Sequence, residues 1–324
     1  MLLEARDLSV AYASAGGGWL TPRRSLRALD RVGFELPAGE TLGVVGESGC
    51  GKSTLARALV GLVPLAAGSV HWQGEDMARL DRRQRRRVRR DLQIVFQDPL
   101  ASLDPRMTAG QIVAEPLVTH EPGLGRTAIA ARVAMALAQV GLDPRHINRY
   151  PHEFSGGQCQ RIAIARATIL APKLVVCDEP VSALDVSIQA QIMNLLVGMQ
   201  DALGLALIFI SHNLAIVRHV SHRIAVLYLG RLVEIGPADA VFRTPRHPYA
   251  QALIAAVPVA DPTIETTRAS VALDGDPPSP LAPPSGCVFR TRCAHAIARC
   301  AAERPVLEAD GDHAVACHRW RALG

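Results

Sequence analysis

The residues best suited to chemistry stand together as Gly46-Glu47-Ser48-Gly49-Cys50-Gly51-Lys52-Ser53, with Thr54 next. This is the spacing G-x-x-x-x-G-K-[ST]. It follows the apolar run TLGVV (Thr41–Val45) and precedes the helical pattern TLARALVGL. Strand, glycine-rich loop and helix in that order form a cradle for phosphate. The glycines let backbone N–H groups turn inward around phosphate oxygens, and the helix adds its positive end. Lys52 is expected to reach the β and γ phosphates of a nucleotide, and Ser53 to place its hydroxyl on Mg2+. Cys50 occupies a position the pattern leaves free and is read as a small, inert residue.

Two acids close a second apolar run, Leu174-Val-Val-Cys-Asp178-Glu179. A strand ending beside the phosphate loop would bring Asp178 to the magnesium shell. Glu179, one residue on, points elsewhere and suits a general base that polarises water. A third element is Phe154-Ser155-Gly156-Gly157-Gln158, followed by CQRIAIARA. It reads as a helix start at which Ser155 and free backbone N–H groups can meet an anion.

The elements that must position these residues alternate. Thr41–Val45, Gln93–Phe96, Leu174–Cys177 and Leu207–Ile210 are short aliphatic runs, as in parallel strands buried on both faces. Helical patterns, such as Ile129–Val140 and Ser187–Leu203, lie between them. The order implies an α/β fold with a mostly parallel sheet. Between about 98 and 165 the strand signal disappears, which predicts a helical insertion. Ala15–Arg27 reads as a loop. The composition shifts near residue 244, and Asp274–Gly286 holds five prolines. The segment beyond is too short to bury a core without a staple.

Composition narrows the function classes. The chain of 324 residues is 49% hydrophobic, which excludes a wholly disordered chain. A net charge of +5 is too small to argue for nucleic acid. Only Lys52 and Lys173 are lysines, so an isolated Lys is informative. Arg82–Arg90 packs seven arginines into nine residues and reads as a solvated helix face. No run of 18 apolar residues exists, so no transmembrane helix is expected. The N-terminus lacks the order of a signal peptide, which predicts a chain that stays in the cytoplasm. Seven cysteines there argue for thiols or metal ligation rather than disulfides.

The SGGQ loop, ~100 residues after the phosphate loop and about 20 before Asp178-Glu179, resembles the ATP-binding cassette (ABC) family over residues 1 to about 245. The resemblance implies a P-loop NTPase fold of the ABC nucleotide-binding type. Its RecA-like core would span 1–245, with a helical subdomain at about 98–165. Gln97, in FQDP, matches the glutamine that links the nucleotide site to the membrane partner and helps coordinate the magnesium–water shell. Ser182-Ala-Leu-Asp185 matches the loop crossing a dimer seam, with Asp185 in the site. His212, in ISHNL, matches the histidine that contacts the γ phosphate, and Tyr12 the aromatic that stacks on adenine. The family sandwiches ATP between two subunits. Ser155, Gly156, Gly157 and Gln158 would then serve a partner's nucleotide, and Glu179, His212 and Gln97 would carry hydrolysis. Phe154 replaces the commoner leucine and Asn213 the aspartate often found after the histidine; neither removes a hydrolytic position.

Cys287, Cys293, Cys300 and Cys317, spaced C-x5-C-x6-C-x16-C, suit an iron–sulfur cluster or zinc. His295, His313 and His318 are alternative ligands. The segments TPRHPYAQALIAAVP, PPSGCVFRTRCAHAIARC and VACH resemble the C-terminal extension, here 246–324, of ATP-binding subunits of dipeptide and oligopeptide importers. The similarity is greatest to the dipeptide subunit that pairs with a second, different cassette. It implies a four-iron four-sulfur cluster on those four cysteines, with zinc as the alternative. It also implies two transmembrane permease subunits, a second ATPase subunit and, indirectly, an extracytoplasmic peptide-binding protein, with no nucleic acid. The chain would be peripheral on the cytoplasmic face of the inner membrane. The rival reading is a soluble ABC ATPase acting on nucleic acid or ribosomes. A third, a non-hydrolysing regulatory subunit, conflicts with the presence of Asp178, Glu179 and His212.

Overall fold

The computed structural model describes residues 1–13, 25–182, 184–257 and 275–323. The expected loop at Ala15–Arg27 lies largely outside them; its last residues, from Ser25, begin a strand. In chain order the elements are β1 (Leu3–Ala13), β2 (Ser25–Leu36), β3 (Thr41–Val45), α1 (Lys52–Leu59), β4 (Ala67–Trp72), β5 (Glu75–Asp76), α2 (Arg82–Asp91), β6 (Leu92–Val95), α3 (Pro99–Ser102), α4 (Ala109–His120), α5 (Arg126–Gln139), α6 (Gly156–Thr168), β7 (Leu174–Asp178), α7 (Val186–Leu203), β8 (Ala206–Ile210), α8 (Leu214–Val220), β9 (Arg223–Tyr228), β10 (Arg231–Pro237), α9 (Ala238–Arg243), α10 (Pro248–Ala255), α11 (Ala298–Ala302), β11 (Glu308–Asp310), β12 (His313–Val315) and α12 (Trp320–Leu323). The chain divides into two compact units.

The first unit holds residues 1–3, 35–41 and 71–210. Its strands β6, β7 and β8 are parallel neighbours, Leu92 facing Leu174 and Leu174 facing Ala206. Strands β7 and β8 are buried at every position, which is why they read as unbroken aliphatic runs. The segment from Pro99 to Thr168 is helical, as the missing strand signal predicts. Two of its main helices have a local reason to start. Thr108 caps α4 and Ser155 caps α6, both through reciprocal capping boxes with a glutamine three residues on. The arginine run forms α2, capped by Asp81, with Val88 its one buried side chain.

The second unit holds residues 4–34, 42–70 and 211–324. Here β3 runs parallel to β9, Val45 facing Val226. β10 turns back antiparallel on β9, and β1 lies between β2 and β4. β1 and β2 are long and half-exposed, so they lack the aliphatic runs that mark β3, β7 and β8 in the sequence. The C-terminal segment does not build a core alone. Its β12 pairs with β10, Glu234 facing Val315, and β11 pairs with β12. No described helix is long and apolar enough to cross a membrane.

Candidate functional site

The phosphate loop, in the second unit, joins the end of β3 to the start of α1. Gly46, Gly49 and Gly51 have φ of 155°, 76° and 108°, which side chains rarely adopt. A Cβ at Gly51 would lie 2.4 Å from the Ala28 carbonyl oxygen, so the loop also demands glycine for space. Lys52 is buried, and its Nζ donates to the carbonyls of Gly46 at 2.7 Å and Glu47 at 3.0 Å. The ammonium therefore lies folded across its own loop. Ser53 and Thr54 follow in the first turn of α1. Cys50 is buried, and burial pushes its thiol above the ordinary range. That fits the inert role expected of it.

The same unit holds Tyr12 in β1, 37% exposed. His212 is exposed two residues before α8. Asn213 caps that helix, its Oδ1 accepting from the N–H groups of Ala215 and Ile216. An aspartate there would do the same, so the departure from the family pattern leaves the cap intact.

The first unit brings together Gln97 and Glu179. The Gln97 Nε2 donates to Glu179 Oε2 at 2.9 Å, although 82 positions separate them. Glu179 follows the buried Asp178 at the end of β7 and has φ of 47°, a left-handed backbone that costs a non-glycine residue about 1 kcal/mol. Its N–H donates to the Ile210 carbonyl at 3.0 Å, and its carbonyl accepts from Ser182 Oγ at 3.1 Å. The neighbouring strand and turn hold this strained residue in place. Burial, with the Asp178 charge beside it, lifts the Cys177 thiol to about 12.

The SGGQ turn lies in this unit too. Ser155 Oγ accepts from the Gln158 N–H, and Gln158 Oε1 accepts from the Ser155 N–H. Gly157 faces Ile188, where a Cβ would meet Cγ2 at 2.7 Å. The turn thus abuts the start of α7, whose N-cap residue is Asp185. Ala183 lies outside the described residues.

The four C-terminal cysteines line one cavity, together with His247, His295 and His318. Burial pushes the Cys287 thiol up to about 11 and raises those of Cys293 and Cys317, each also feeling neighbouring cysteines of the set. No described group of three His, Cys, Asp or Glu is set at metal-holding distances. His313 is not among the lining residues. It is buried on Glu234, Nε2 to Oε1 at 2.7 Å, which removes it as an alternative ligand.

Sequence reasoning missed two residues that touch the phosphate loop. Tyr249 Oη accepts from the Glu47 N–H at 2.9 Å, and Arg292 pairs with the Glu47 carboxylate at 2.8 and 3.0 Å. No local pattern marks either residue, since they stand 202 and 245 positions away.

Comparison with known proteins gives a consistent picture. Residues 29–182 match the family model described as ABC transporter, and residues 233–300 that of the oligopeptide/dipeptide transporter C-terminal region. The chain is 56% identical to the oligopeptide transport ATP-binding protein OppF of Salmonella typhimurium, over 98% of this chain and 96% of the relative. It is 49% identical to the di/tripeptide transport ATP-binding protein DppF of Pseudomonas aeruginosa, over 98% and 97%. Among solved structures, the ATP-binding cassette MJ0796, dimeric and bound to ADP and Pi, superposes with a TM-score of 0.65 at 28% identity. That match covers 73% of this chain and 99% of the other.

Proposed function

We propose a function from one premise: the chain belongs to the ABC transporter family, as an ATPase of the P-loop nucleotide-binding type. We read it as the subunit that hydrolyses ATP to power import of dipeptides or oligopeptides by a bacterial transporter. The observation that carries this reading is the near-complete match to peptide-transport ATP-binding proteins, C-terminal region included.

Within that reading the roles divide by chemistry. Backbone N–H groups of Gly49, Cys50, Gly51, Lys52, Ser53 and Thr54 would bind phosphate oxygens, with Gly46, Glu47 and Ser48 completing the loop and Lys52 supplying charge. Tyr12 would stack on the base. Ser53, Gln97 and Asp178 are oxygen donors, the set a Mg2+ ion takes, and the ion would neutralise phosphate charge. Glu179 would accept the proton of the attacking water, oriented by Gln97, and His212 would contact the γ phosphate. Ser155, Gly156, Gly157, Gln158 and Asp185 would face the nucleotide of a second cassette. ATP then acts as a dimerising ligand, and hydrolysis releases it.

The partners in this reading are two permease subunits and a second ATPase subunit, with a peptide-binding protein across the membrane. The chain would work at the cytoplasmic face of the inner membrane. Cys287, Cys293, Cys300 and Cys317 form a soft donor set around one cavity, which suits a four-iron four-sulfur cluster, or zinc, once the thiols deprotonate. Iron and acid-labile sulfide in anaerobically purified protein support the cluster, and the absence of both refutes it; stoichiometric zinc argues for a structural metal instead.

The test of the whole reading is a detergent pull-down of the tagged chain from native membranes. Two polytopic membrane proteins and a second ATPase subunit are expected by mass spectrometry. Ribosomes or nucleic acid without membrane protein would overturn it.

A further inference from the structure

We propose that the C-terminal segment is a working part of the nucleotide site, with Arg292 and Tyr249 as positioning residues that hold the phosphate loop through Glu47. All three residues lie in the second unit. The inference rests on the reading of residues 46–54 as the ATP cradle.

Glu47 is held twice. Its carboxylate takes both arms of the Arg292 guanidinium, Nη1 to Oε2 at 2.8 Å and Nη2 to Oε1 at 3.0 Å. This paired geometry is the strong, directional form of an ion pair. The Arg292 side chain is only 5% exposed and that of Glu47 24%, so water screens the pair weakly. The carboxylate holds the guanidinium well above its ordinary range. The backbone is held separately, where the Glu47 N–H donates to Tyr249 Oη. Tyr249 is itself buried against Tyr228 and Phe289, ring centroids 4.6 and 5.4 Å away. The hydroxyl is therefore a fixed acceptor.

The held segment is the one that orients Lys52. The carbonyls of Gly46 and Glu47 take the Lys52 ammonium, so a shift of Glu47 moves both acceptors. Charge matters as much as position. A carboxylate within a phosphate loop opposes a polyanionic ligand at short range. Arg292 cancels it. The pattern leaves this position open, and the chain places there an acid that needs a buried cation from 245 positions away. Arg292 also directly precedes Cys293, one of the cavity cysteines, so the backbone that sets the cavity also sets the clamp.

The test is equilibrium binding of Mg·ATP to the purified full chain by calorimetry, with a melting temperature for every variant. Arg292→Gln is expected to raise Kd about tenfold, because it frees the loop and leaves Glu47 uncompensated. Glu47→Gln should cost about threefold or less. The double variant Glu47→Gln/Arg292→Gln should bind more tightly than Arg292→Gln alone, since the repelling charge is gone. A clamp that served only to fold the C-terminal segment would leave the double variant no better than the single one. Arg292→Gln within twofold of the parent, or a double variant no tighter than Arg292→Gln, would overturn the proposal. If Arg292→Gln does not fold, Arg292→Lys and Tyr249→Phe carry the test: each should raise Kd about threefold, and unchanged Kd in both rejects the clamp. A parent chain that binds no ATP would reject the ATPase reading instead.

Discussion

The side-chain amide of Gln97 donates to the carboxylate of Glu179 across 2.9 Å, joining the segment after β6 to the end of β7. A neutral donor fixes the direction of a carboxylate without adding charge. The contact therefore fixes the direction in which the Glu179 carboxylate points.

Glu179→Gln keeps size and hydrogen bonding but cannot take a proton. Hydrolysis should fall at least about 100-fold, while ATP still binds and the closed dimer accumulates. Single-turnover assays and size exclusion with and without ATP check both halves; normal turnover would remove Glu179 from the role of base.

Gln97→Glu would set a second carboxylate against Glu179. Two such groups in contact cannot both ionise freely, so the pair titrates with one value raised. The acid limb of the kcat profile should move to higher pH by about one unit or more. Gln97→Ala, which adds no charge, should lower kcat without that displacement. Identical profiles in the two variants would show that the contact is not formed during turnover.

The SGGQ glycines should differ in what they tolerate. Gly156→Ala meets only Leu184 at an ordinary 3.7 Å and gains helix propensity, so the melting temperature should hold or rise. Gly157→Ala drives a Cβ to 2.7 Å from the stiff, β-branched Ile188 and should lower it, by about 1–3 kcal/mol of stability. Adding Ile188→Ala should return part of the loss. Thermal unfolding of the variants decides.

His247 links stability to pH. Burial lowers it to about 3, from 6.5 when exposed. Its Nδ1 accepts from the Tyr249 N–H, so a proton there would also break the cap of α10. Between pH 6.5 and 3 the unfolded chain binds this proton and the folded chain does not. Stability contributed at neutral pH is thus lost as pH falls through that window, by up to about 1.4 kcal/mol per pH unit. His247→Asn keeps a capping acceptor and removes the titration. Its melting temperature should drop less between pH 7 and pH 5 than that of the parent; equal drops would exclude His247 as the source.

What could be read along the chain follows from range. β3 was expected at Thr41–Val45 and lies there, and β7 runs one residue past its expected end, because a fully buried strand writes an aliphatic run into the sequence. The phosphate loop is a contiguous motif, and its glycine angles follow from its own residues. The cap of α6 is equally local, Ser155 with Gln158. By contrast, nothing around Pro237 announces that β10 will receive a strand from residues 313–315. Short antiparallel pairing depends on a partner chosen elsewhere in the chain.

Thus the sequence by itself determined the ATPase class, the phosphate cradle, the strand-end acids and the helical insertion, because each is specified by neighbouring residues. Only the tertiary structure decided that Gln97 meets Glu179, that Arg292 and Tyr249 grip Glu47, and that His313 serves Glu234 rather than the cysteine cavity. Those contacts join residues 79 to 245 positions apart. Such partners meet only once the chain has closed, and for the Glu47 and Glu234 pairs the closing also buries the groups that attract each other.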